Sequence, residues 1–537
     1  MKSRTTILVS LATTLTLVAS SVPAVRAQDA DAVSMSLIEC LTGALENNLD
    51  LAIAKKDPEI AGLNLTFQKA AFDPVLGAGL RHAANRLQSA QVFDFVVPPR
   101  ESQSESRVLT DDANASLSQK LNFGATYVVT ANALTTPGYS GSQIFSDVDP
   151  TLLVSDAELG RAKTWGYGIR FTLPLLKGFG RPVNEASVLV ATHNLNISQN
   201  ELQRRAELAV KGAEDAYWDL LAAREAEKVA QQALELSQEL YELNKKKVEV
   251  GTLAPIEITQ AEANVASNVE GTIRTKQAVK NAEDNLRRLL AIPENDPLWT
   301  KTILPTEKPM SDPTTTDQAD AIRIAYERRP EVATARQQIE ISNIDETAAH
   351  NDVKHQLDLV ANWARTHSEQ PETVTVTNTT PLLDGVYAFD PVTRKSPDWS
   401  VALVYSYPIG NRAAKSNYAV SKINSEKSQI ALESVMQDVR VDVRRSARAV
   451  ESGYERVVAA RKNTELQTKK LEAEQKKFDN GMSTSFEVFT FQTDLRNAQL
   501  SLIQALLDYN KALADLERAK GTLLESKGLK LADNTGR

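Results

Sequence analysis

Five histidines, one cysteine and two similarly placed glutamates are the residues of this 537-residue chain with the most evident chemical potential. His82, His193, His350, His355 and His367 are scattered, and none has the His-Glu-x-x-His spacing that sets two imidazoles on one helix face around zinc. The nearest pair, His350 and His355, stands five residues apart and is not read as a metal site. Gly178-Phe179-Gly180 resembles the opening of a dinucleotide loop, but the third glycine position holds Val183 and no βαβ unit with a following acid is evident. Those glycines are read instead as the place where a strand swings into a helix. Cys40 has no partner, so no internal disulfide forms. No nucleophile stands beside a base. The sequence therefore offers no catalytic residue, no metal site and no cofactor site.

Glu257 and Glu487 are more informative because each follows the same kind of turn. Gly251 and Gly481 suit the left-handed position that ends a helix, and Pro255 suits the first turn of the next one. Thr484-Ser485-Phe486-Glu487 reads as a capping box, and an acid near a helix N-terminus is favoured by the helix dipole. From the residues alone both glutamates are helix caps. A gating role requires that the turns converge on a common axis.

The elements that carry these turns occur twice. Ala44–Leu51 recurs as Ala325–Val332 at an offset of 281, and Leu173-Pro174-Leu175 recurs as Tyr407-Pro408-Ile409 at 234. Gly251–Glu257 then matches Gly481–Glu487, and Asn285-Leu286 matches Asp515-Leu516, both at 230. Four matches in one order indicate a duplication. The fall from 281 to 234 gives the first repeat 47 extra residues between positions 51 and 174. Each repeat is predicted to hold a first helix (36–71 and 318–349), a β-like stretch, a very long helix (196–250 and 413–480) and a return helix (256–291 and 486–523). The β-like segments are 75–86, 113–121, 125–133 and 165–175 in the first repeat, and 355–364 and 399–407 in the second. Asn122-Phe123-Gly124 joins the middle pair as a hairpin. Leu202, Ala206, Ala209, Ala213, Ala216 and Leu220 step by fours and threes, as do Val229, Ala233, Leu236, Leu240 and Leu243, and Phe491 through Ala519. These are coiled-coil seams whose alanines imply close helix approach.

Composition sets the compartment. Lys2 and Arg4, the apolar stretch Ile7–Ala19 and Val25-Arg26-Ala27 read as a signal peptide over 1–27. Without those three cations the chain has 58 basic against 69 acidic residues, a net −11, which argues against nucleic acid as a partner. No later apolar run approaches 18 residues, so any membrane crossing must be a closed β-barrel. The expected organisation is repeat one over 28–296, a Pro-rich linker over 297–317 that stays out of the core, repeat two over 318–526, and a disordered tail over 527–537.

This layout resembles the TolC-like outer-membrane efflux family, through the signal peptide, the duplicated helix–strand–helical-hairpin plan and the tips Val250-Gly251-Thr252 and Asn480-Gly481-Met482. The resemblance implies an α+β membrane protein: a homotrimer with a periplasmic α-barrel of long helices, continued by a 12-stranded outer-membrane β-barrel with two strands per repeat. It implies an exit duct of a tripartite efflux or type I secretion system, set in outer-membrane lipid and fed by a periplasmic adaptor and an inner-membrane pump. The family's aspartate gate maps onto Glu487 and Thr490, with Glu257 in the equivalent place of repeat one. The tips are expected to dock the adaptor. The family's Tyr and Arg latch maps onto Phe478 and Ser483, which cannot make the same polar contact. Pro174, Gly178, Gly180, Pro408 and Gly410 are the expected strand-to-helix transitions. The expected barrel pairs are 75–86 with 165–175 and 355–364 with 399–407, placing the extra segment 87–163 outside the cell. A soluble periplasmic adaptor or scaffold is the alternative, and the aromatic residues near the ends of 165–173 and 399–407 speak against it.

Overall fold

The computed structural model describes residues 32–93, 100–144, 154–369, 373–378, 385–388 and 393–531. The expected signal peptide and residues 532–537 lie outside them. The chain opens with β1 (Ala32–Met35), followed by α1 (Leu37–Asn47), α2 (Leu49–Ala54) and α3 (Lys56–Lys69). Four strands follow: β2 (Val75–Phe93), β3 (Arg100–Lys120), β4 (Thr126–Ile144) and β5 (Val154–Pro174). A short α4 (Arg181–Asn184) leads into α5 (Ala186–Glu249), and α6 (Ile256–Leu289) returns beside it. After β6 (Thr302–Pro305) the plan repeats as α7 (Gln318–Arg328), α8 (Pro330–Asp352), β7 (Gln356–Glu369), β8 (Thr373–Asn378), β9 (Gly385–Ala388) and β10 (Thr393–Ser406). It ends with α9 (Arg412–Asp479), α10 (Ser485–Lys520) and α11 (Leu523–Ser526).

The duplication is visible in the backbone. The helix expected over 36–71 breaks at Asn48 (φ −54, ψ 125), and its counterpart breaks at Arg329 (φ −67, ψ 129). These residues are equivalent at the offset of 281. Asn48 accepts from Leu51 N (3.1 Å) and donates to Leu289 O (3.0 Å), so the break is capped and tied to the return helix.

The helices α5 and α9 hold 64 and 68 residues, so each reaches about 100 Å. The return helices α6 and α10, at 34 and 36 residues, cover only about half of that length. The other half is covered by α3 and α8, which pack on α5, and by α8 again, which packs on α9. The largest core cluster gathers Leu41, Val210, Ala213, Tyr217, Leu220, Leu286 and Ile303 where the two repeats meet.

Two expectations fail there. The segment expected to be a bare linker pairs β6 in parallel with β1 and sinks Ile303 fully into the core. Polar side chains hold it in place. Tyr217 Oη accepts from the N–H groups of Thr306 and Glu307 (both 3.0 Å), and Arg224 Nε donates to Ile303 O (2.8 Å). Tyr509 Oη donates to Asp312 O at 2.6 Å. The tail from 527 to 531 is likewise ordered: Leu529 and Leu531 pack on the core, and Lys527 Nζ lies 2.7 Å from Glu214.

The sheet departs most from expectation. Its path runs β10-β7-β5-β4-β3-β2, every step antiparallel, with β8 and β9 adding a flap beside the far end of β5. Repeat one therefore supplies four long strands, not two, and β2 pairs with β3 rather than with β5. The turn around Gly124 does not lie at the outer end of the sheet with the rest of 87–163. It sits at the helix end, where Gly180 N–H donates to Phe123 O (3.0 Å) and Gln119 Nε2 donates to Phe72 O (2.8 Å). The physical reason is length. The strands β3 and β4 each run about 20 residues, long enough to return to the helices and go out again. Part of the segment, 94–99 and 145–153, lies outside the described residues.

Glu207 in α5 is buried near Arg329, Glu331 and Arg518, and accepts from Gln203 Nε2 at 3.1 Å. Burial dominates and pushes its carboxyl up to about 7, against the lowering effect of Gln203 and the arginines. The folded state then binds a proton that the unfolded chain has already lost between about pH 4.5 and 7, so stability falls as pH rises through that window. Glu207→Gln removes the slope. Thermal melts of the two proteins should coincide near pH 4, and the variant should melt several degrees higher at pH 8.

Candidate functional site

The residues singled out in the sequence lie at two opposite ends of the long helices. At the tip end, Gly251 (φ 77) and Gly481 (φ 73) hold the left-handed conformation that ends α5 and α9. The closing bonds match in the two hairpins. Thr252 N donates to Lys247 O (2.8 Å), and Met482 N donates to Lys477 O (2.8 Å). No Cβ placed on either glycine meets a neighbour, so backbone conformation alone calls for glycine there. Pro255 stands at the cap of α6 rather than within its first turn.

The structure brings the two tips together. Phe478 is buried with Leu240, Leu471, Val488 and Leu495, and Lys247 crosses from the other hairpin to cover it. The Lys247 ammonium lies 3.8 Å from the Phe478 ring centroid and donates to Phe478 O at 3.1 Å. Ser485 Oγ donates to a carboxylate oxygen of Glu257, which ties the start of α10 to the start of α6. Ser483 Oγ donates to Glu474 Oε1 (2.7 Å), and Lys477 reaches the same carboxylate (2.9 Å). The Ser483 hydroxyl and the Lys477 ammonium hold the Glu474 carboxyl below the usual carboxylate range.

The two glutamates differ in their surroundings. Glu257 is half-buried and bonded, whereas Glu487 is exposed and its N–H donates to Thr484 Oγ1 at 3.3 Å. Thr490 Oγ1 is turned back to Phe486 O (2.9 Å). Val250, Gly251, Thr252, Asn480, Gly481 and Met482 are all exposed at the apex. Lys247 was missed in the sequence; its only signal is that it stands three residues before Val250.

At the sheet end, Gly178 (φ 80) and Gly410 (φ 85) make the strand-to-helix transitions after Pro174 and Pro408, and Gly180 (φ 102) follows Gly178. Buried Asn351 accepts from Gly178 N (2.6 Å), and Asn184 Nδ2 donates to Gly178 O (2.7 Å) and Gly180 O (3.0 Å). Asn411 Nδ2 serves the second transition by donating to Val353 O (3.0 Å). These asparagines satisfy backbone groups that neither a strand ladder nor a helix can reach. Isolated asparagines give no sequence signal of that role.

Over the helix-side part of the sheet, side chains on one face are apolar on all six strands, and beyond it the same face carries the His82–Asp111 pair. The apolar side chains include Leu76 and Leu80 on β2, Ala115 and Leu117 on β3, and Val129 and Ala131 on β4. The set continues with Tyr167 and Ile169 on β5, Leu359 and Trp363 on β7, and Val401 and Leu403 on β10, aligned by the strand register. The opposite face carries Asn114, Ser116, Asn132, Arg170, Asn362 and Ser400. Trp165 stacks on His367 (3.9 Å) and Tyr167 lies 5.8 Å from Trp363, so aromatic side chains gather toward one edge of the apolar band. A sheet with an apolar outer face, an aromatic rim and a polar inner face has the form of a lipid-facing barrel wall. No helix among the described residues is long and apolar enough to cross a membrane.

Phe478→Ala leaves a cavity under Lys247, worth about 3–5 kcal/mol by analogy with other buried aromatics. Amide hydrogen exchange should speed up at 240–253 and 475–490, with little change at the sheet end.

The family model described as outer membrane efflux protein matches residues 147–291 and 321–522. No curated protein matches the chain. Among solved structures, the fold is similar to the Campylobacter jejuni CmeC outer membrane channel, with 15% identity, a TM-score of 0.59, and 93% of this chain and 87% of that one covered. It is similar to the open state of the Neisseria gonorrhoeae MtrE channel at 18% identity and 0.58, covering 91% and 89%. It also resembles the Vibrio cholerae outer membrane protein VceC at 14% and 0.58, covering 90% and 96%. With the lipid-facing sheet, the paired helical hairpins and the family match over most of its length, the chain belongs to the outer membrane efflux protein family and is an outer-membrane channel rather than an enzyme.

Proposed function

We propose that three copies of the chain form a duct whose sheets close into a barrel in the outer membrane and whose helices enclose a passage through the periplasm. The observation that carries this reading is that a single chain has two raw lateral edges. On one side α3 runs into β2, the end strand of the sheet path; on the other, β10 runs into α9. Ile60, Leu63 and Phe67 form an exposed stripe on α3, and Val420, Ile423 and Ile430 form one on α9. Both stripes have helical spacing, so each presents a seam to a neighbour. Joining the α3–β2 edge of one copy to the β10–α9 edge of the next is a head-to-tail contact, which generates a ring when the rotation closes. A soluble scaffold would expose the sheet's apolar face to water.

The exposed tips are the docking surface for a periplasmic adaptor, which couples the duct to an inner-membrane pump. In the ring, three copies of Glu487 meet near the axis at the tip end, with Glu257 behind them and Thr490 a turn further along. Like charges at such spacing repel by about 1 kcal/mol or more per close pair, so the mouth favours cations.

Two measurements test this. Mass determination of the detergent-solubilised protein should give three copies, and a folded monomer that stays soluble without detergent would sink the duct. Glu487→Gln keeps a side chain that can cap α10 but removes the charge. In planar bilayers the variant should conduct with a cation-to-anion permeability ratio lowered by several-fold and an unchanged melting temperature. An unchanged ratio would reduce Glu487 to a helix cap.

A further inference from the structure

We infer that the membrane wall contains six strands from each copy, so that the three-copy ring is an 18-stranded barrel rather than a 12-stranded one, with the β3–β4 hairpin as a full part of the wall. The number rests on the three-copy reading above; the six-strand wall does not.

Three observations carry it. The hairpin is anchored at the same level as the strands that enter and leave the helices. Val75 pairs with Ser118, Thr126 with Thr172, and Pro174 with Asp358, so the helix-side ends of five strands lie in register. At that level the Gly124 turn is pressed against the first strand-to-helix transition. A Cβ on Gly124 would stand 2.3 Å from Gly178 O, and its φ of 101 is itself a glycine conformation. A loop set outside the membrane has no need of that fit.

The apolar band is also unbroken across the hairpin. Ala78, Ala115, Ala131 and Tyr167 are paired in turn across β2, β3, β4 and β5, and Leu76, Leu117, Val129 and Ile169 form a parallel row. On the other face Ser116, Thr130 and Gly168 alternate with them. In the observed pairing β2 bonds to β3 and β5 to β4, so the ladder that β2 has at the helix-side level is supplied by the hairpin.

Finally, the two ends of the path suit each other. The strand β2 runs away from the helices and β10 runs toward them, so β2 of one copy meets β10 of the next in antiparallel sense. Both ends are apolar and open: Leu80 is 89% exposed and Trp399 is 77% exposed. At about 4.8 Å between strands and a tilt of about 40°, 12 strands enclose a backbone diameter of about 24 Å and 18 strands about 36 Å. A ring of about 12 helices spaced at about 9 Å has a diameter of about 35 Å, so the wider wall continues the helical passage without a step.

The test uses the full-length protein in detergent or membranes. Cysteines replace Ala78 with Ala115 in one variant, and Ala131 with Tyr167 in another, and a short thiol reagent that fluoresces only when both ends react is added. Cys40 is buried and its thiol is pushed up to about 12, so it does not compete. Both pairs should react at least about tenfold faster than a control pair, Ala78 with Tyr167, which the six-strand order keeps three strands apart. A control pair that reacts fastest overturns the inference, because β2 then lies beside β5. Electron-microscopic projections give the width, with a variant in which a short turn replaces residues 100–144 for comparison. The wild-type barrel should be about 1.5 times as wide. A trimer with equal widths in the two overturns the inference and leaves the duct standing. A copy number other than three overturns the ring and its count of 18, while the cross-links still decide the wall.

Discussion

The absence of water in a bilayer is the constraint on which the rest of this architecture depends. Backbone N–H and C=O groups in hydrocarbon must pair within protein, and an open sheet edge there costs several kcal/mol for each unpaired group. One chain of this protein offers a six-strand path with an open edge on each side. Its open edges, its lateral helix stripes and its apolar sheet face are the features that closure of such a wall calls for. The same requirement explains why the strands run up to 21 residues, far longer than those of ordinary globular sheets.

The helical part answers a different mechanical problem. A helix of 64 or 68 residues packed on a return helix half as long would expose its remaining half. The short helices α3 and α8 fill that gap, and the breaks at Asn48 and Arg329 redirect the chain so that they can do so. The changeover from one partner to the other falls near Tyr217 and Arg224, where the polypeptide between the repeats is bound by side-chain hydrogen bonds. Glu283 joins this belt, pairing with Arg224 and Arg287 and accepting from Ile303 N at 3.1 Å. Buried charges here are matched to backbone groups that no helix or sheet satisfies, which is the setting in which such a cluster is tolerated. The segment between the repeats thus fixes the two hairpins at mid-length, leaving tips and sheet to be positioned from a common girdle.

Helix boundaries were legible because they are set locally. Gly251, Gly481 and Thr484 punctuate the chain where expected, Pro255 lies one residue before its helix, and the seam through Leu495, Ala498, Ala505, Tyr509, Ala512 and Leu516 is buried as its spacing implies. The duplication was legible too, down to the paired breaks in the first helix. The role of β3 and β4 was not, because strand order is a tertiary property and their apolar face is made largely of alanines, which score weakly. Ile303 was missed because one apolar residue among five nearby prolines carries no period. At the tip, sequence equivalence put Glu257 and Glu487 on the same footing. Their difference arises from Ser485, a residue of the other hairpin, which no local pattern connects to Glu257.

That difference extends through the tips and gives the two repeats unequal mechanical weight. At the repeat offset of 230, Glu474 corresponds to Asn244, Ser483 to Leu253 and Phe478 to Val248. In the second hairpin Glu474 is satisfied by Ser483 and Lys477, and Phe478 fills the space between the hairpins. In the first, the Asn244 side chain is fully buried and both its polar atoms lack a partner within the chain. An unpaired buried amide costs about 1–3 kcal/mol for each group left unsatisfied. A displacement that wets Asn244 recovers that cost, whereas one that wets Glu474 gains nothing of the kind and risks two hydrogen bonds. Among the contacts that resist such a displacement of the first hairpin are Lys247 on Phe478, Glu257 with Ser485 and Arg496 with Asn268, beside the packing of Leu240 in the cluster around Phe478. The duplicated hairpins therefore differ in how firmly they are held: the second is braced by its own side chains, and the first carries a buried amide that its fold leaves unsatisfied.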